Sequence, residues 1–353
     1  MRYRLSGQHS EEFLSAIRRF ESGLYERAGV QFLAILQKQP DNHDALYFLR
    51  LVERRLASDA ALPAPTLIWQ FDPEEAWERD WLHRLLAGVW NKNADKEVVD
   101  KTWSQLAPVM IVVDNRLVPG KVDYYRRAFE AGCRIILVHL SDEAFKDDTG
   151  AHRYCDGVIR NYHSELLADF SRIHFTPLGY KAGLAREGYI PKTASERKYL
   201  WSFAGDAKKL TRVPMLEAMT PLGDGFQHLT EGFNSSDALS VGAYRALLDE
   251  TIVVPCPGGW SNLETFRVYE ALEAGCIPIV EKRPGFDTFT TLLGPHPMPT
   301  IMTWAEGAAL VGRLKSAGEL EPLRRACSEW WEARKLTLAH AAGQFVKGAL
   351  RLG

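Results

Sequence analysis

The sequence lacks the features that mark secreted, disulfide-rich or membrane-spanning proteins. It has only 5 cysteines in 353 residues, and they are scattered, odd in number and without metal-ligand spacing. No apolar run approaches the roughly 20 residues that a membrane helix needs, and residues 1–13 contain no apolar segment of the kind found in signal peptides. We therefore expect reduced, buried thiols and a cytoplasmic location, either free or peripheral at the inner membrane.

Other absences narrow the choice of ligand. The formal net charge is -2, so the chain lacks the excess of basic residues that is typical of nucleic-acid-binding proteins. No Gly-x-Gly-x-x-Gly pattern follows a predicted strand, which disfavours a dinucleotide cofactor. No Asp-x-Asp pattern is present either, and the adjacent pair Asp147-Asp148 has the setting of a loop. We expect no cofactor and no nucleic-acid partner.

Residues 1–60 have the pattern of a small helical extension. Apolar residues recur at helical spacing across 11–57. The order of small, aromatic and proline residues resembles a tetratricopeptide repeat: Gly23, Tyr25, Ala28, Phe32, Leu36 and Pro40. Only about one and a half repeats are visible, fewer than a free-standing solenoid needs. Two interpretations stay open: the helices cover hydrophobic surface, or they bind a partner protein or a second copy of the chain.

Strand and helix patterns alternate from residue 66 onward. Strands are predicted at 66–70, 109–113, 135–140, 157–160, 173–177, 199–204, 226–229, 251–255, 277–280 and 300–302. Helices are predicted at 78–90, 122–131, 212–218, 238–248, 263–274, 305–315 and 320–350. This alternation is typical of parallel sheets with helices on both faces. We predict an α/β fold of two Rossmann-like, doubly wound domains, 61–182 and 183–353, that face each other across a cleft, with terminal helices able to cross back.

The strongest local pattern lies between residues 253 and 280 and reads as strand, glycine turn, helix and strand. Gly258 and Gly259, which follow Pro257, let the backbone approach a ligand closely because they carry no side chain. Ser261 and Asn262 are residue types that begin helices. A helix that begins here would direct the positive end of its dipole into the turn, an arrangement that suits a diphosphate.

Two charged residues of the predicted helix extend this pattern. Arg267 and Glu270 are three positions apart and so share one helix face. An arginine can hold a phosphate with two parallel hydrogen bonds, and a carboxylate can accept from the hydroxyls of a ribose. An amphipathic helix with a surface Arg267–Glu270 ion pair explains the same residues, so both interpretations stay open.

This segment resembles the C-terminal signature of exostosin-type glycosyltransferases. The matching residues are Pro257, Gly258, Ser261, Arg267, Glu270, Ala271, Gly275, Cys276, Ile277 and Pro278. The chain departs from the signature at Trp260, in the turn, and at Tyr269, before the glutamate. The resemblance, which covers about residues 66–315, implies a GT-B fold and a nucleotide-sugar site in the C-terminal half.

Further blocks resemble the same family. Phe203-Ala204-Gly205 ends a predicted strand, and the cations that would hold the leaving diphosphate follow it: Lys208, Lys209 and Arg212. In the N-terminal half, polar groups close three strands as in bacterial exostosin-like proteins and the ribitol xylosyltransferase branch: His139, Asp142, Glu143, Arg160, Asn161, Tyr180 and Lys181. Because each block ends a strand, all of them can border one cleft, with the N-terminal set on the acceptor side.

The activity implied by the resemblance is inverting, metal-independent transfer of a hexose or pentose. The donor would be a nucleotide sugar, with a UDP-sugar favoured, and the acceptor a hydroxyl of a glycan or glycolipid in surface polysaccharide synthesis. Inversion needs one general base, for which Asp142 and Glu143 are the candidates, Asp142 slightly favoured. The alternatives are a non-catalytic, repeat-containing scaffold on a degenerate GT-B fold and a sugar-nucleotide epimerase.

Overall fold

The computed structural model describes residues 9–57, 62–92, 96–168, 172–232 and 235–350. Its first three helices are α1 (Glu11–Glu21), α2 (Tyr25–Lys38) and α3 (His43–Leu56). Ser10 and Asn42 cap α1 and α3, since their side chains accept from backbone N–H groups three residues on. The helices enclose a small aromatic core in which the rings of Phe13, Phe32 and Phe48 pack on one another.

The helical extension packs on the N-terminal α/β domain. Helix α3 lies against α5 (Pro119–Glu130), where the rings of Tyr47 and Phe129 stack with centroids 5.0 Å apart. The Arg54 guanidinium bonds to the Asp156 carboxylate at 3.0 Å and to the Cys133 carbonyl at 2.6 Å. Cys133 and Asp156 directly precede two strands, so this contact lies at the amino ends of the strands, away from their carboxyl ends.

The N-terminal sheet has six parallel strands in the order β2-β1-β3-β4-β5-β6. They are β1 (Thr66–Trp69), β2 (Glu97–Val99), β3 (Val109–Asn115), β4 (Arg134–Leu140), β5 (Gly157–Arg160) and β6 (Ile173–Phe175). Helices α4 (Arg79–Leu85), α5 and the short α6 (Glu165–Ala168) lie among the connections. Strands β3, β4 and β5 are almost wholly buried, which explains why they read as continuous apolar runs. The edge strand β2 is short and largely exposed, so it lacks an apolar run by which it could be predicted.

The C-terminal sheet has five parallel strands in the order β11-β10-β9-β7-β8. They are β7 (Tyr199–Asp206), β8 (Gly225–Thr230), β9 (Thr251–Cys256), β10 (Ile277–Glu281) and β11 (Thr300–Ile301). Their helices are α7 (Arg212–Met219), α8 (Val241–Asp249), α9 (Phe266–Glu273), α10 (Thr288–Leu293) and α11 (Trp304–Ala317). The two doubly wound sheets and the helical extension confirm the predicted fold class. In such sheets a ligand binds where the strand order reverses, here between β7 and β9.

The last helix, α12 (Leu320–Leu350), packs on both domains. Its Trp331 ring lies 5.9 Å from that of Trp81 in α4 and 5.6 Å from that of Tyr269 in α9. Farther along, the Ala349 carbonyl accepts a hydrogen bond from Arg134 at the start of β4. The helix therefore joins the core of one domain to that of the other. No helix in the described part of the chain is long and apolar enough to cross a membrane.

Several predicted helix boundaries differ from those of the structure. Helix α9 begins at Phe266 rather than near 263, so Ser261 and Asn262 belong to the preceding turn and its N-cap is Thr265. The Asn262 side chain instead accepts from the Glu264 N–H within that turn. The helix predicted at 78–90 ends at Leu85, and α10 was not predicted at all. The first of these errors arises because turn residues form a side-chain-to-backbone bond that competes with the helix.

The buried pair of Lys335 and Glu273 offers a test of how α12 is held. Their charged atoms lie 2.8 Å apart and both side chains are 2% exposed. Lys335→Met should lower the free energy of unfolding by about 3 kcal/mol, because it leaves a buried carboxylate without its cation. Arg325→Ala is the control on the same helix, since Arg325 pairs with Glu329 at the surface, and a loss of under about 1 kcal/mol is expected. Equal losses in urea unfolding would contradict this account.

Candidate functional site

The site lies at the switch point of the C-terminal sheet, between the carboxyl ends of β7 and β9. Strand β7 ends with Ala204, Gly205 and Asp206. Gly205 has a φ of +141°, and a Cβ atom there would lie 2.8 Å from the Arg267 guanidinium. Only glycine fits this position without strain, because L residues avoid that backbone conformation and a side chain would displace the arginine. The predicted Gly205 thus makes room for a cation.

Two arginines meet over one aromatic ring at this point. Arg267 donates to the Ala204 carbonyl at 2.6 Å and Arg212 to the Asp206 carbonyl at 2.5 Å. Their guanidinium carbons lie 4.5 and 5.8 Å from the centre of the Phe203 ring. Neither has a carboxylate partner within hydrogen-bonding distance among the described residues, and the Nε atoms of both are buried without a hydrogen bond. Such a pair favours an anion that can bridge them.

The pKa shifts around Arg212 and Arg267 also favour an anionic ligand. Burial lowers the pKa of Arg212 to about 10, and the neighbouring charge of Arg267 adds to the effect. Burial also lowers the pKa of Lys209, whose ammonium group lies 5.2 Å from the centre of the exposed Trp260 ring. Positive charge is therefore concentrated where desolvation makes it costly, which is the arrangement that a strongly anionic ligand stabilises.

The glycine turn after β9 is held by carboxylates from two directions. The Gly258 N–H donates to Glu281 Oε2 at 2.9 Å, and the same oxygen accepts from the Thr211 hydroxyl at 2.7 Å. The N–H groups of Ser261 and Asn262 donate to Glu143 Oε1 at 2.8 and 3.1 Å. Glu143 belongs to the other domain, so the turn also joins the two sheets. Pro257 and Gly258 are buried at the end of β9.

Glu281 is a site residue that sequence reasoning missed. It ends β10, is 6% exposed and joins the turn to the start of α7, which carries Arg212. A carboxylate at the end of a wholly buried strand is the signal that could have revealed it, because a buried charge needs partners.

Glu270 lies one helical turn beyond Arg267 and is buried. Burial raises the pKa of its carboxyl, while the charge of Arg267 opposes the shift. The Tyr244 hydroxyl and the Lys181 backbone N–H already hydrogen-bond to it. Lys181, predicted for the acceptor side, therefore contacts Glu270 of the C-terminal domain through its backbone.

Lys208 lies apart from the arginines. Its side chain is exposed, and its ammonium group donates to the Glu231 carbonyl at 3.3 Å. Its backbone N–H donates to the Asp206 carboxylate. Of the three basic residues that follow β7, Lys209 and Arg212 lie near the turn and Lys208 lies near the end of β8.

The two candidate bases have different environments. Asp142 is 5% exposed, and its carboxylate accepts from the Lys146 N–H at 2.8 Å and pairs with Arg160 at 3.1 Å. Glu143 is half-buried and reaches the glycine turn. Asp142 therefore stabilises the loop after β4 through contacts within its own domain. Glu143 instead contacts the other domain.

His139 belongs to a buried polar network. Its ring nitrogens lie 2.9 Å from Asp147 Oδ2 and 3.2 Å from His152 Nε2. Burial, reinforced by His139, lowers the pKa of His152 to about 3. Possible metal-ligand atoms of His139, Asp142 and Asp147 lie within 4.8 Å of one another. Because Asp142 pairs with Arg160 and Asp147 accepts the Leu117 N–H, we interpret this cluster as structural.

Two further residues predicted for the acceptor side, Asn161 and Tyr180, are both buried. Asn161 is buried and its amide donates to the Glu78 carboxylate at 3.4 Å. Tyr180 is 2% exposed and packs on Trp81, so it is part of the core rather than of the cleft. Burial raises the pKa of Glu78 to about 7. This residue was not predicted from the sequence.

Glu264 completes the contact between the domains. Its Oε1 accepts from the Leu178 backbone N–H at 2.6 Å and from the Tyr269 hydroxyl at 2.5 Å. Burial raises the pKa of this carboxyl to about 7 as well. Tyr269, one of the two departures from the signature, therefore has a defined partner.

The raised pKa of Glu264 predicts a pH-dependent stability. The folded protein keeps a proton that the unfolded chain, with a pKa of 4.5, has already released. This contribution is complete below about pH 4.5 and is lost as the pH rises through about 7. Glu264→Gln should flatten the curve of unfolding free energy between pH 5 and 8 by up to about 3 kcal/mol. Glu75→Gln, at an exposed position, is the control, and an unchanged slope in Glu264→Gln would refute the assignment.

No protein-family model and no curated protein matches this chain. Similar solved structures include an alpha1,3-fucosyltransferase, 11% identical, with a TM-score of 0.47 over 82% of this chain and 92% of that one. A mutant O-GlcNAc transferase from Thermobaculum terrenum is 13% identical, with a TM-score of 0.45 over 96% and 84%. HepE of Anabaena, in complex with UDP, is 11% identical, with a TM-score of 0.48 over 80% and 100%. Each match extends over most of both chains.

Proposed function

We propose that the protein is a metal-independent, inverting glycosyltransferase that moves a sugar from a nucleoside diphosphate to an acceptor hydroxyl. The observation that carries the proposal is the pair of arginines at the switch point of the C-terminal sheet, faced by a carboxylate from the other domain. A UDP-sugar is the default of the family that the sequence resembles. The acceptor in this proposal is a glycan or glycolipid used for surface polysaccharide, and the N-terminal repeat-like helices would bind a partner or second copy.

Arg212 and Arg267 would supply the electrostatic part of the reaction. As the bond between the sugar and the diphosphate breaks, negative charge grows on the leaving oxygen. Preorganised donors in a site shielded from water stabilise such charge more than water does. Lys209 and the N–H groups of the turn would add to them, and Glu270 would accept from the ribose hydroxyls. With these cations in place, the protein itself would supply the charge that a metal supplies elsewhere.

Glu143 would act as the general base. The acceptor oxygen bonds to the anomeric carbon, Glu143 takes the hydroxyl proton, and the diphosphate leaves with the electron pair. Of the two adjacent candidates, Asp142 is buried and paired with Arg160, so it is poorly placed to receive a proton. Geometry comes before pKa in choosing a base, and Glu143 is the carboxylate that faces the donor turn.

The donor site is tested by calorimetric titration with UDP, GDP and CMP, with and without EDTA. UDP should bind in the presence of EDTA, and Arg267→Ala should weaken binding by about 10- to 100-fold, the usual value of hydrogen bonds to a charged group. Lys208→Ala should change it less than about threefold, because this lysine lies at the surface. Equal effects of the two substitutions would contradict the assignment of Arg267. Failure of every nucleotide to bind would favour the non-catalytic scaffold.

The base is tested by the release of UDP from a panel of UDP-sugars with simple sugar acceptors. Glu143→Gln should lower the rate about 100- to 10,000-fold, the usual value of general base catalysis, while UDP still binds. Asp142→Asn should instead lower the thermal stability, because it leaves the buried Arg160 without its counter-charge. Full turnover by Glu143→Gln would refute the role of Glu143.

A further inference from the structure

The Glu143 carboxylate occupies a position that an anionic ligand would be expected to take. One of its oxygens accepts from two consecutive backbone N–H groups, those of Ser261 and Asn262. These residues are 118 and 119 positions away along the chain, so the contact depends wholly on how the domains meet. A Cβ atom at Gly259 would lie 2.7 Å from the same oxygen, and glycine at this position therefore permits the contact.

The charges around this oxygen are those of the donor site. Arg212 and Lys209 both interact electrostatically with the negative charge of Glu143. The Asp206 carboxylate also attracts these two cations, and the positive charge of Arg267 repels them. Backbone N–H groups and nearby cations are the groups that hold a phosphate oxygen in anion sites of this kind. Here the two N–H groups donate to a carboxylate oxygen of the protein itself.

We propose that Glu143 competes with a donor phosphate for the N–H groups of Ser261 and Asn262, and that the nucleotide has to displace it in order to bind. This inference rests on the proposed function, since it concerns the same donor site. A phosphate oxygen and a carboxylate oxygen cannot both accept from the same two N–H groups at hydrogen-bonding distance, because like charges so close together repel. The contact therefore acts as a latch between the domains that opens when the donor enters.

The test compares UDP binding to the wild-type chain, Glu143→Asp and Glu143→Ala by calorimetry. Glu143→Asp keeps the charge but is one methylene shorter, so it cannot span the gap to the turn as glutamate does. Both variants should bind UDP about tenfold more tightly than the wild type, because the competing closed state no longer lowers the fraction of competent protein. Glu187→Ala, which removes a charge at an exposed position outside the site, should leave UDP binding unchanged.

Hydrogen exchange of the amides at Ser261 and Asn262 provides a second readout that needs no activity. Without nucleotide, both variants should exchange these amides about tenfold faster than the wild type, and saturating UDP should bring all three proteins to similar protection. If only Glu143→Ala binds UDP more tightly, the effect is simple charge repulsion and the latch is refuted. Weaker or unchanged UDP binding in both variants would refute it as well. If neither the wild type nor the variants bind UDP, the donor site itself is refuted, which is a distinguishable result.

Discussion

The contact between the domains depends on one short segment, residues 258–264, which is bonded from three sides. Glu281 holds its first amide from within the C-terminal domain. Glu143 holds two more from the N-terminal domain. At its end, Glu264 reaches back to accept the Leu178 N–H. Because backbone N–H groups and buried carboxylates both require partners, this segment determines how the carboxyl ends of the two sheets face each other.

Behind the segment, aromatic packing holds the same arrangement. The Tyr269 ring packs on Trp331 of α12, which stacks in turn on Trp81 of the N-terminal domain. The hydroxyl of Tyr269 meets Glu264, so one side chain belongs both to the aromatic stack and to the polar contact. The residue that departs from the exostosin-type signature is thus explained by its place between the domains.

The electrostatics follow from burial. Carboxyl groups at the interface have raised pKa values, and Arg212 has a lowered one, because all of them are removed from water. The site therefore holds charges of both signs that are incompletely neutralised by the protein. A site of this kind favours a ligand that brings its own charge.

The amino-acid sequence by itself determined all the strands but β2 and the two parallel sheets, because apolar runs are local patterns. It also singled out Gly205, Arg212 and Arg267, which lie together in the structure. Local patterns were less informative for the start of α9, where side-chain bonds in the turn displaced the predicted helix. Only the tertiary structure decided that Asp142 pairs with Arg160, that Tyr180 lies in the core, and that Glu143 and Glu264 cross between the domains. These contacts join residues separated by up to 119 positions, and a pattern that spans a few neighbours carries no information about partners so distant in the chain.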